Sequence, residues 1–141
     1  MKKFKIGYTT GVFDMFHVGH LNILRRAKEQ CEYLIVGVST DEVVETYKHK
    51  RPIIPFAERA EIVEAIKYVD KVVPQTSMDK LAAWKELKFD ALFHGTDWQN
   101  SDMYNKIEKE LNEVGCAVVF LPHTDGVSST LLAEKLNNKN D

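Results

Sequence analysis

The fold of this chain is decided by the stretch Gly11-Val12-Phe13-Asp14-Met15-Phe16-His17-Val18-Gly19-His20, where a strand gives way to a helix. Upstream, Phe4 to Thr10 form an apolar and β-branched run suited to a strand. Downstream, Leu21, Leu24 and Ala27 recur at helical spacing. A helix start offers free backbone amides and the positive end of a dipole, and both favour a bound phosphate. The stretch therefore predicts an anion site between the first strand and the first helix.

Two histidines, His17 and His20, lie three residues apart in the first turn of that predicted helix. An imidazole can donate a hydrogen bond to an anion whether it is neutral or charged, and Gly19 lets the backbone approach closely. Such a pair can stabilise charge that gathers on a phosphoryl group during transfer. It can also merely cap the helix or bind a metal. A metal is disfavoured because no cysteine or third histidine lies nearby in sequence.

Outward from this stretch, strand-like and helix-like segments alternate, as is typical of a parallel sheet with helices on both faces. We expect a single-domain α/β fold over residues 1–136, Rossmann-like and doubly wound, with about five parallel strands, and a flexible tail at 137–141. The predicted strands are Phe4–Tyr8, Tyr33–Ser39, Lys71–Pro74, Ala91–His94 and Ala117–Leu121. The predicted helices begin near Gly19, Asp41, Phe56 (running to Tyr68), Met78 and Asp102 (running to Val114), and a last one spans Ser128–Leu136.

The composition narrows the class of function. With 141 residues, the chain is long enough to bury the core of one domain. Its net charge of −2 argues against a protein that grips nucleic acid or an anionic membrane through a broad basic face. Cys31 and Cys116 show no metal-like spacing, so we expect reduced thiols packed near strands. The apolar run after Met1-Lys2-Lys3 is too short for a signal peptide or a membrane span, so a cytoplasmic protein is expected.

Polar motifs follow the ends of the predicted strands. In a doubly wound sheet, ligands bind outside the carboxyl ends of the strands, near the point where the strand order reverses. We therefore expect four segments to converge on one rim: His17 to His20, Ser39 to Asp41, Gly95 to Trp98, and Pro122 to Thr130.

Two basic segments lie around the start of the helix at Phe56. Lys48-His49-Lys50-Arg51 is either a solvated charged loop or a phosphate clamp, since phosphoryl chemistry needs neutralisation and positioning more than covalent catalysis. Arg59 either pairs with Glu58 on the helix surface or gives bidentate hydrogen bonds to a phosphate, which lysine cannot do.

The quoted stretch resembles the HxGH signature of the nucleotidyltransferase superfamily, and its form GVFDMFHVGH is similar to the cytidylyltransferases. The resemblance extends over nearly the whole chain, and in length and layout it is nearest to the bacterial glycerol-3-phosphate cytidylyltransferases. It implies that His17 and His20 stabilise the transition state at the α-phosphate of CTP. It also implies that Lys50 and Arg59 act in catalysis and that Lys48 binds the acceptor substrate.

Further matches lie in the second half of the chain. Gly95-Thr96-Asp97-Trp98 resembles a GDDW-like element beside the nucleotide pocket, although Trp98 can also simply cover the core. Gly126-Val127-Ser128-Ser129-Thr130 resembles the RTEGIST-type loop that holds a triphosphate, and the same hydroxyls suit an ordinary helix cap. Lys80 lies where the family has a substrate-binding lysine, but the local match is poor and most such lysines face solvent.

Two residues depart from the pattern of the glycerol-phosphate enzymes. His123 replaces an arginine, so that a permanent cation becomes one that is only partly charged at neutral pH. Val12 replaces a threonine and resembles instead the choline-phosphate enzymes. The nucleotide-binding residues that the resemblance implies are Thr10, Gly11, Val12, Phe13, Asp14, Gly19, Gly95, Asp97, Trp98, His123, Thr124, Gly126, Val127, Ser128, Ser129 and Thr130.

The implied reaction moves a cytidylyl group from CTP to a small phosphorylated alcohol, with glycerol 3-phosphate as the first choice, and releases pyrophosphate. Mg²⁺ is expected to bind mainly through the triphosphate, with no metal site on the protein itself. A homodimer is expected, because relatives of this size are commonly dimers and symmetric dimers are the commonest assembly. Alternatives remain open: ATP as the donor; another polyol phosphate, phosphocholine or phosphoethanolamine as the acceptor; or a nucleotide-binding regulator that has lost activity.

Overall fold

Strands and helices alternate along the part of the chain that the computed structural model describes, residues 2–95 and 101–122. The strands are β1 (Phe4–Gly11), β2 (Cys31–Ser39), β3 (Lys71–Gln75), β4 (Ala91–Gly95) and β5 (Ala117–Leu121). The helices are α1 (Val18–Gln30), α2 (Asp41–Lys48), α3 (Phe56–Glu64), α4 (Lys80–Leu87) and α5 (Asp102–Glu113). The predicted helix Ser128–Leu136 lies outside the described residues, and the division at 136 stays a prediction.

All five strands run parallel in one sheet, in the order β3-β2-β1-β4-β5. The chain moves outward from β1 to β3 and then returns to place β4 on the other side of β1. The strand order therefore reverses between β1 and β4, where Tyr8 pairs with Leu92 and Thr9 with Phe93. In sheets of this kind, the crevice at the reversal is where ligands bind.

Alternate strand residues point to opposite faces of the sheet and build two cores. On one face, Leu24 of α1 and Val63 of α3 pack with Leu34, Val36 and Val38 of β2. On the other face, helices α4 and α5 cover the sheet, and the buried residues are Tyr8, Ile35, Phe89, Leu92, Tyr104, Leu111 and Cys116. The expected doubly wound α/β fold with helices on both faces is confirmed.

The predicted ends of some elements were wrong, and pairing explains most of the differences. β1 continues past Tyr8 to Gly11, because Gly11 pairs with Val38 of the neighbouring strand. β2 begins at Cys31, which pairs with Phe4, and not at Tyr33. α4 begins at Lys80 and not near Met78, because the carboxylate of Asp79 caps it by accepting from the amides of Leu81 and Ala82 (3.0 and 3.1 Å).

The third helix was predicted to reach Tyr68 and ends at Glu64. Beyond it, the chain forms tight turns in which the amides of Ile66 and Val69 donate to Val63 and Ile66. These turns place Ile66 and Val69 against the core beside α3. Burial of two apolar side chains thus outweighs another helical turn.

Cys31 and Cys116 are buried free thiols, as expected. In the described residues, no helix is both long and apolar enough to cross a bilayer.

Candidate active site

The start of α1 is capped by its own two histidines. His17 is the N-cap residue, and its Nδ1 accepts a hydrogen bond from the amide of Gly19 (3.1 Å). Nδ1 of His20 accepts from the amide of His17 (3.2 Å), which completes a reciprocal capping box. Because both Nδ1 atoms accept, each neutral ring carries its proton on Nε2. The cap therefore leaves two Nε2–H donors for something other than the helix.

The surroundings keep both rings neutral. The rings of His17 and His20 stack with their centroids 3.9 Å apart, and the ring of His20 also contacts those of Phe13 and Phe16. Burial and then the charge of His17 lower the pKa of His20 to about 3, against a smaller opposing effect of Asp14. Burial also lowers the pKa of His17. At neutral pH the pair acts through hydrogen-bond donors, not through fixed positive charge.

One of these donors is unsatisfied. Nε2 of His17 is buried and has no hydrogen-bond partner among the described residues. A buried donor without an acceptor carries a desolvation cost of about 1–3 kcal/mol. The first turn of α1 contains no acidic residue, so nothing there competes with an anion for the helix dipole. The arrangement suits a phosphate oxygen at Nε2.

The loop before α1 is held in a shape that costs energy. Phe13 and Met15 both have positive φ (54° and 48°), although neither is a glycine. Phe13 is nevertheless buried in the core. Between them, the two carboxylate oxygens of Asp14 accept from the amides of Ile53 and Ile54, each at 2.8 Å. Asp14 thereby ties the loop that precedes α3 to the histidine loop, and its predicted nucleotide contact stays a prediction.

Arg59 is not on the surface with Glu58. Its side chain is fully buried, and its Nε donates to the carbonyl of Ile54 (2.8 Å). One Nη donates to the carbonyls of Val12 (2.7 Å) and Ser39 (2.8 Å), and the other to the carboxylate of Asp41 (2.7 Å). In this structure the guanidinium joins three segments of the rim, so we assign it a positioning role. Direct contact with a phosphate stays a prediction.

The two predicted lysines of the clamp lie at the end of α2 and in the loop after it. Lys48 is the last residue of α2 and is exposed, and His49 closes the helix in the left-handed conformation. Lys50 is exposed in the loop between α2 and α3. Asp14 holds the other end of this loop by accepting from the amide of Ile53. Arg51 is used on the surface, where it pairs with Glu45 at 2.9 Å. The structure brings the loop of Lys50 beside the histidine loop, while its phosphate contact stays a prediction.

Lys80 does not face solvent, contrary to the usual position of such a lysine. It is 2% exposed at the start of α4, and its Nζ has no hydrogen-bond partner among the described residues. Burial lowers the pKa of this ammonium to about 8, against a smaller opposing effect of Asp79. At neutral pH, Lys80 is therefore a buried and mostly charged group.

A pH titration should show this directly. Since the pKa of Lys80 is lower in the folded protein than in the unfolded chain, unfolding takes up a proton between pH 8 and 10. The free energy of unfolding should therefore rise more steeply with pH in wild type than in Lys80→Met, by about 2 kcal/mol over that window. Urea titrations of both proteins at pH 7, 8, 9 and 10 measure the difference, which cancels the contributions of the buried tyrosines and cysteines. Parallel curves would mean that Lys80 titrates normally.

A second residue near Lys80 was not singled out by sequence reasoning. His94 lies near the end of β4, with its Nε2 3.2 Å from the hydroxyl of Thr10, one of the predicted nucleotide-binding residues. Burial and then the charge of Lys80 lower the pKa of His94 to about 3. Its position after a run of apolar strand residues, directly before Gly95, was the available signal.

The described part of the rim converges as expected. Arg59 donates to the carbonyl of Val12 and also to the carbonyl of Ser39 and the carboxylate of Asp41, so it links the first rim segment to the second. The hydroxyl of Ser39 donates to Gln75 (2.7 Å). Gly95 ends β4 beside Leu121, and no atom of the described residues lies within 4 Å of the point where its side chain would begin. The remaining predicted residues lie outside the described residues: Thr96, Asp97, Trp98, His123, Thr124, Gly126, Val127, Ser128, Ser129 and Thr130.

Comparison with known proteins places this chain in a family. The family model described as cytidylyltransferase-like matches residues 8–135. The chain is 35% identical over 135 residues to a glycerol-3-phosphate cytidylyltransferase of Bacillus subtilis, covering 91% of this chain and 94% of the relative. It is 39% identical over 126 residues to an FAD synthase of Thermococcus sibiricus, covering 86% and 84%.

A solved structure has a similar fold. The fold is similar to that of the lipopolysaccharide core biosynthesis protein from Thermoplasma volcanium, with a TM-score of 0.72 and 26% identity, over 86% of this chain and 97% of the other. The histidine pair at the start of α1, the parallel sheet that reverses beside it and a family match over nearly the whole chain lead to one conclusion. The chain belongs to the cytidylyltransferase-like family.

Proposed function

We propose that this protein transfers the cytidylyl group of CTP to glycerol 3-phosphate, forming CDP-glycerol and pyrophosphate. The observation that carries the proposal is the histidine cap of α1, which uses the Nδ1 atoms of His17 and His20 and leaves their Nε2–H donors outside the cap. The relative from Bacillus subtilis, a glycerol-3-phosphate cytidylyltransferase that aligns over most of both chains, supports this donor and acceptor.

The chemistry needs no nucleophile from the protein. An oxygen of the acceptor phosphate attacks the α-phosphorus of CTP, and the bond from that phosphorus to the β-phosphate oxygen breaks as pyrophosphate leaves with the electron pair. Charge builds on the α-phosphate oxygens in the transition state. His17 and His20 donate to these oxygens from a preorganised cap, which costs no reorganisation during reaction. The free amides of the first turn of α1 add to the same field.

The lysine loop supplies permanent positive charge. Lys50 neutralises the triphosphate and Lys48 faces the acceptor phosphate, each as a mobile point charge. The lysine loop lies beside the histidine loop because its C-terminal end is tied there: the amides of Ile53 and Ile54 donate to the carboxylate of Asp14. Arg59 donates to the carbonyls of Val12 and Ser39, and these hydrogen bonds fix the distance between the two segments that carry the carbonyls. Positioning of this kind contributes much of the rate in phosphoryl-type transfers.

Mg²⁺ would accompany the nucleotide. Within residues 2–95 and 101–122, no three His, Cys, Asp or Glu side chains come together as a metal site. Asp14 and Asp41, the carboxylates nearest to the histidine loop in the hydrogen-bond network, already accept from backbone amides and from Arg59. The triphosphate and water are therefore the ligands we propose for the ion, and it would offset their negative charge.

Adenylyl transfer from ATP is the second candidate. It is favoured by one observation, the 39% identity to an FAD synthase over 86% of this chain. The histidine cap would contact phosphate oxygens and not the base, so it suits either nucleotide.

A homodimer also stays part of the proposal, and sedimentation velocity at micromolar concentration tests it.

Pyrophosphate release tests the proposed reaction. With Mg²⁺ present, CTP, ATP, UTP and GTP are crossed with glycerol 3-phosphate, other polyol phosphates, phosphocholine and phosphoethanolamine, and FMN is added as an acceptor for ATP. We expect release with CTP and glycerol 3-phosphate, and CDP-glycerol in the mass spectrum. Activity with ATP alone would move the protein to the adenylyl branch. Silence across the panel, with CTP binding retained, would overturn the proposed reaction in favour of a nucleotide-binding regulator.

A further inference from the structure

Helix α2 has an acidic face directly before the two lysines of the lysine loop. The carboxylates of Asp41, Glu42 and Glu45 are followed by Lys48, at the end of the same helix, and by Lys50 in the loop after it. Asp41 and Glu42 suit the first turn, where the helix dipole favours negative charge. Glu45, however, precedes Lys48 by three residues, the spacing at which helical side chains form an ion pair. The carboxylates of α2 therefore compete with any phosphate for the two lysines.

One residue, Arg51, contacts all three of these carboxylates. Its Nε lies 2.9 Å from Glu45, one Nη lies 3.8 Å from Asp41, and the other Nη lies 3.9 Å from Glu42. Arg51 reaches them because His49 ends α2 in the left-handed conformation (φ 59°), and the chain turns back along the helix. A planar guanidinium presents donors on several sides and keeps its charge at any relevant pH. The acidic face of α2 is thus neutralised by a single side chain.

The two lysines are left without carboxylate partners. Among the described residues, neither Lys48 nor Lys50 forms an ion pair. The Nζ of Lys48 lies over the ring of Tyr47, 5.9 Å from its centroid, and the side chain of Lys50 is exposed. Glu45, the partner that helical spacing offers to Lys48, pairs with Arg51 instead. Both lysines can therefore move to an incoming phosphate without first breaking an ion pair.

We propose that Arg51 keeps Lys48 and Lys50 available for the substrate phosphates by pairing with the carboxylates of α2. The inference rests on the proposed function, in which the two lysines bind phosphates. Arg51 touches no substrate in this role and acts only through the lysines. Without Arg51, the carboxylates of Glu42 and Glu45 pair with the lysines and repel the triphosphate. Both effects act within a Debye length, so the affinity for CTP falls.

A double-mutant cycle of Arg51→Met and Glu45→Gln tests the inference. Isothermal titration calorimetry measures the Kd for CTP with Mg²⁺ and without acceptor, at low ionic strength, where surface charges are weakly screened. We expect Arg51→Met to raise this Kd by about three- to tenfold. In the wild-type background, Glu45→Gln should change the Kd by less than about 1.5-fold, because the carboxylate is already paired. In the Arg51→Met background, the same substitution should lower the Kd by at least about threefold, and this difference measures the coupling.

Arg25→Met is the matched control for the change in net charge. Arg25 also belongs to an exposed ion pair, with Glu29 of the same helix α1 at 3.9 Å. Its removal should leave the Kd for CTP within about 1.5-fold of wild type. Melting temperatures within a few degrees of wild type show that the variants are folded, as expected for exposed side chains.

Three results would overturn the role of Arg51. An equal effect of Glu45→Gln in both backgrounds would show simple addition of charges. A loss of affinity in Glu45→Gln as large as in Arg51→Met would show that the ion pair only fastens the loop. A loss in Arg51→Met that Glu45→Gln does not repair would show that Arg51 contacts the nucleotide directly.

The proposed function fails in a different way. Wild type that does not bind CTP would overturn the proposed function, and the role of Arg51 with it. Wild type that binds CTP but releases no pyrophosphate would overturn the proposed reaction alone, because the cycle measures binding and not turnover.

Discussion

His17→Asn is expected to lower the kcat of cytidylyl transfer by at least about 100-fold while the melting temperature stays near that of wild type. The asparagine oxygen can accept from the amide of Gly19 as Nδ1 of His17 does (3.1 Å), so the cap of α1 survives. What is lost is the Nε2 donor, which is buried and has no partner among the described residues. Rapid-quench measurement of CDP-glycerol formation under single-turnover conditions isolates the chemical step.

His17→Ala is the companion variant, because it removes both the cap and the donor. It should show a similar loss of kcat and an additional loss of about 1 kcal/mol in the free energy of unfolding. Comparison of the two variants therefore separates the structural from the chemical role of one ring. Near-normal turnover of His17→Asn would remove His17 Nε2 from the mechanism, whatever the alanine variant does.

Arg59→Met is expected to destabilise the protein by about 3–5 kcal/mol, since it leaves a buried network without its cation. The change removes the donor from four acceptors that lie within 2.8 Å of the guanidinium: the carboxylate of Asp41 and the carbonyls of Val12, Ser39 and Ile54. A loss of this size is a large share of the typical 5–15 kcal/mol of a domain, about a fifth or more. Urea unfolding at 25 °C, followed by circular dichroism, measures it.

Arg51→Met is the matched control for this prediction. Arg51 pairs with Glu45 of the neighbouring helix, but its side chain is 55% exposed, so removal should cost less than about 1 kcal/mol. The same titration distinguishes two roles of Arg59. A positioning residue loses stability and activity together. A residue that acts only by touching phosphate would lose activity with nearly unchanged stability, and that result would contradict the role assigned here.

The fold was predictable from local pattern to an unusual degree for a simple reason. Parallel strands buried on both faces form short apolar runs, and the helices between them show one apolar face. Each element can therefore be recognised from its own residues. The ends were less predictable. α3 stops at Glu64 because Ile66 and Val69 pack into the core, and that contact involves residues distant in sequence.

The candidate site was likewise predictable from sequence only in part. His17, His20 and Gly19 could be chosen from sequence, because helix capping and anion binding at a helix start depend on residues within one turn. The burial of Arg59 and Lys80 could not be predicted from sequence, since nothing in their neighbours says whether a cation points inward. His94 was missed, because its partners Thr10 and Lys80 come from other segments of the chain.

By itself, then, the sequence determined the alternation of strands and helices, the histidine cap that begins α1 and the family to which the chain belongs. These depend on short-range geometry and on motifs read along the chain. Only the tertiary structure decided that Arg59 joins the carbonyls of Val12 and Ser39, and that Lys80 is a buried cation without a partner among the described residues. Burial and charge pairing depend on which distant segments meet, and that is settled when β4 returns to the side of β1 and the helices close over the sheet.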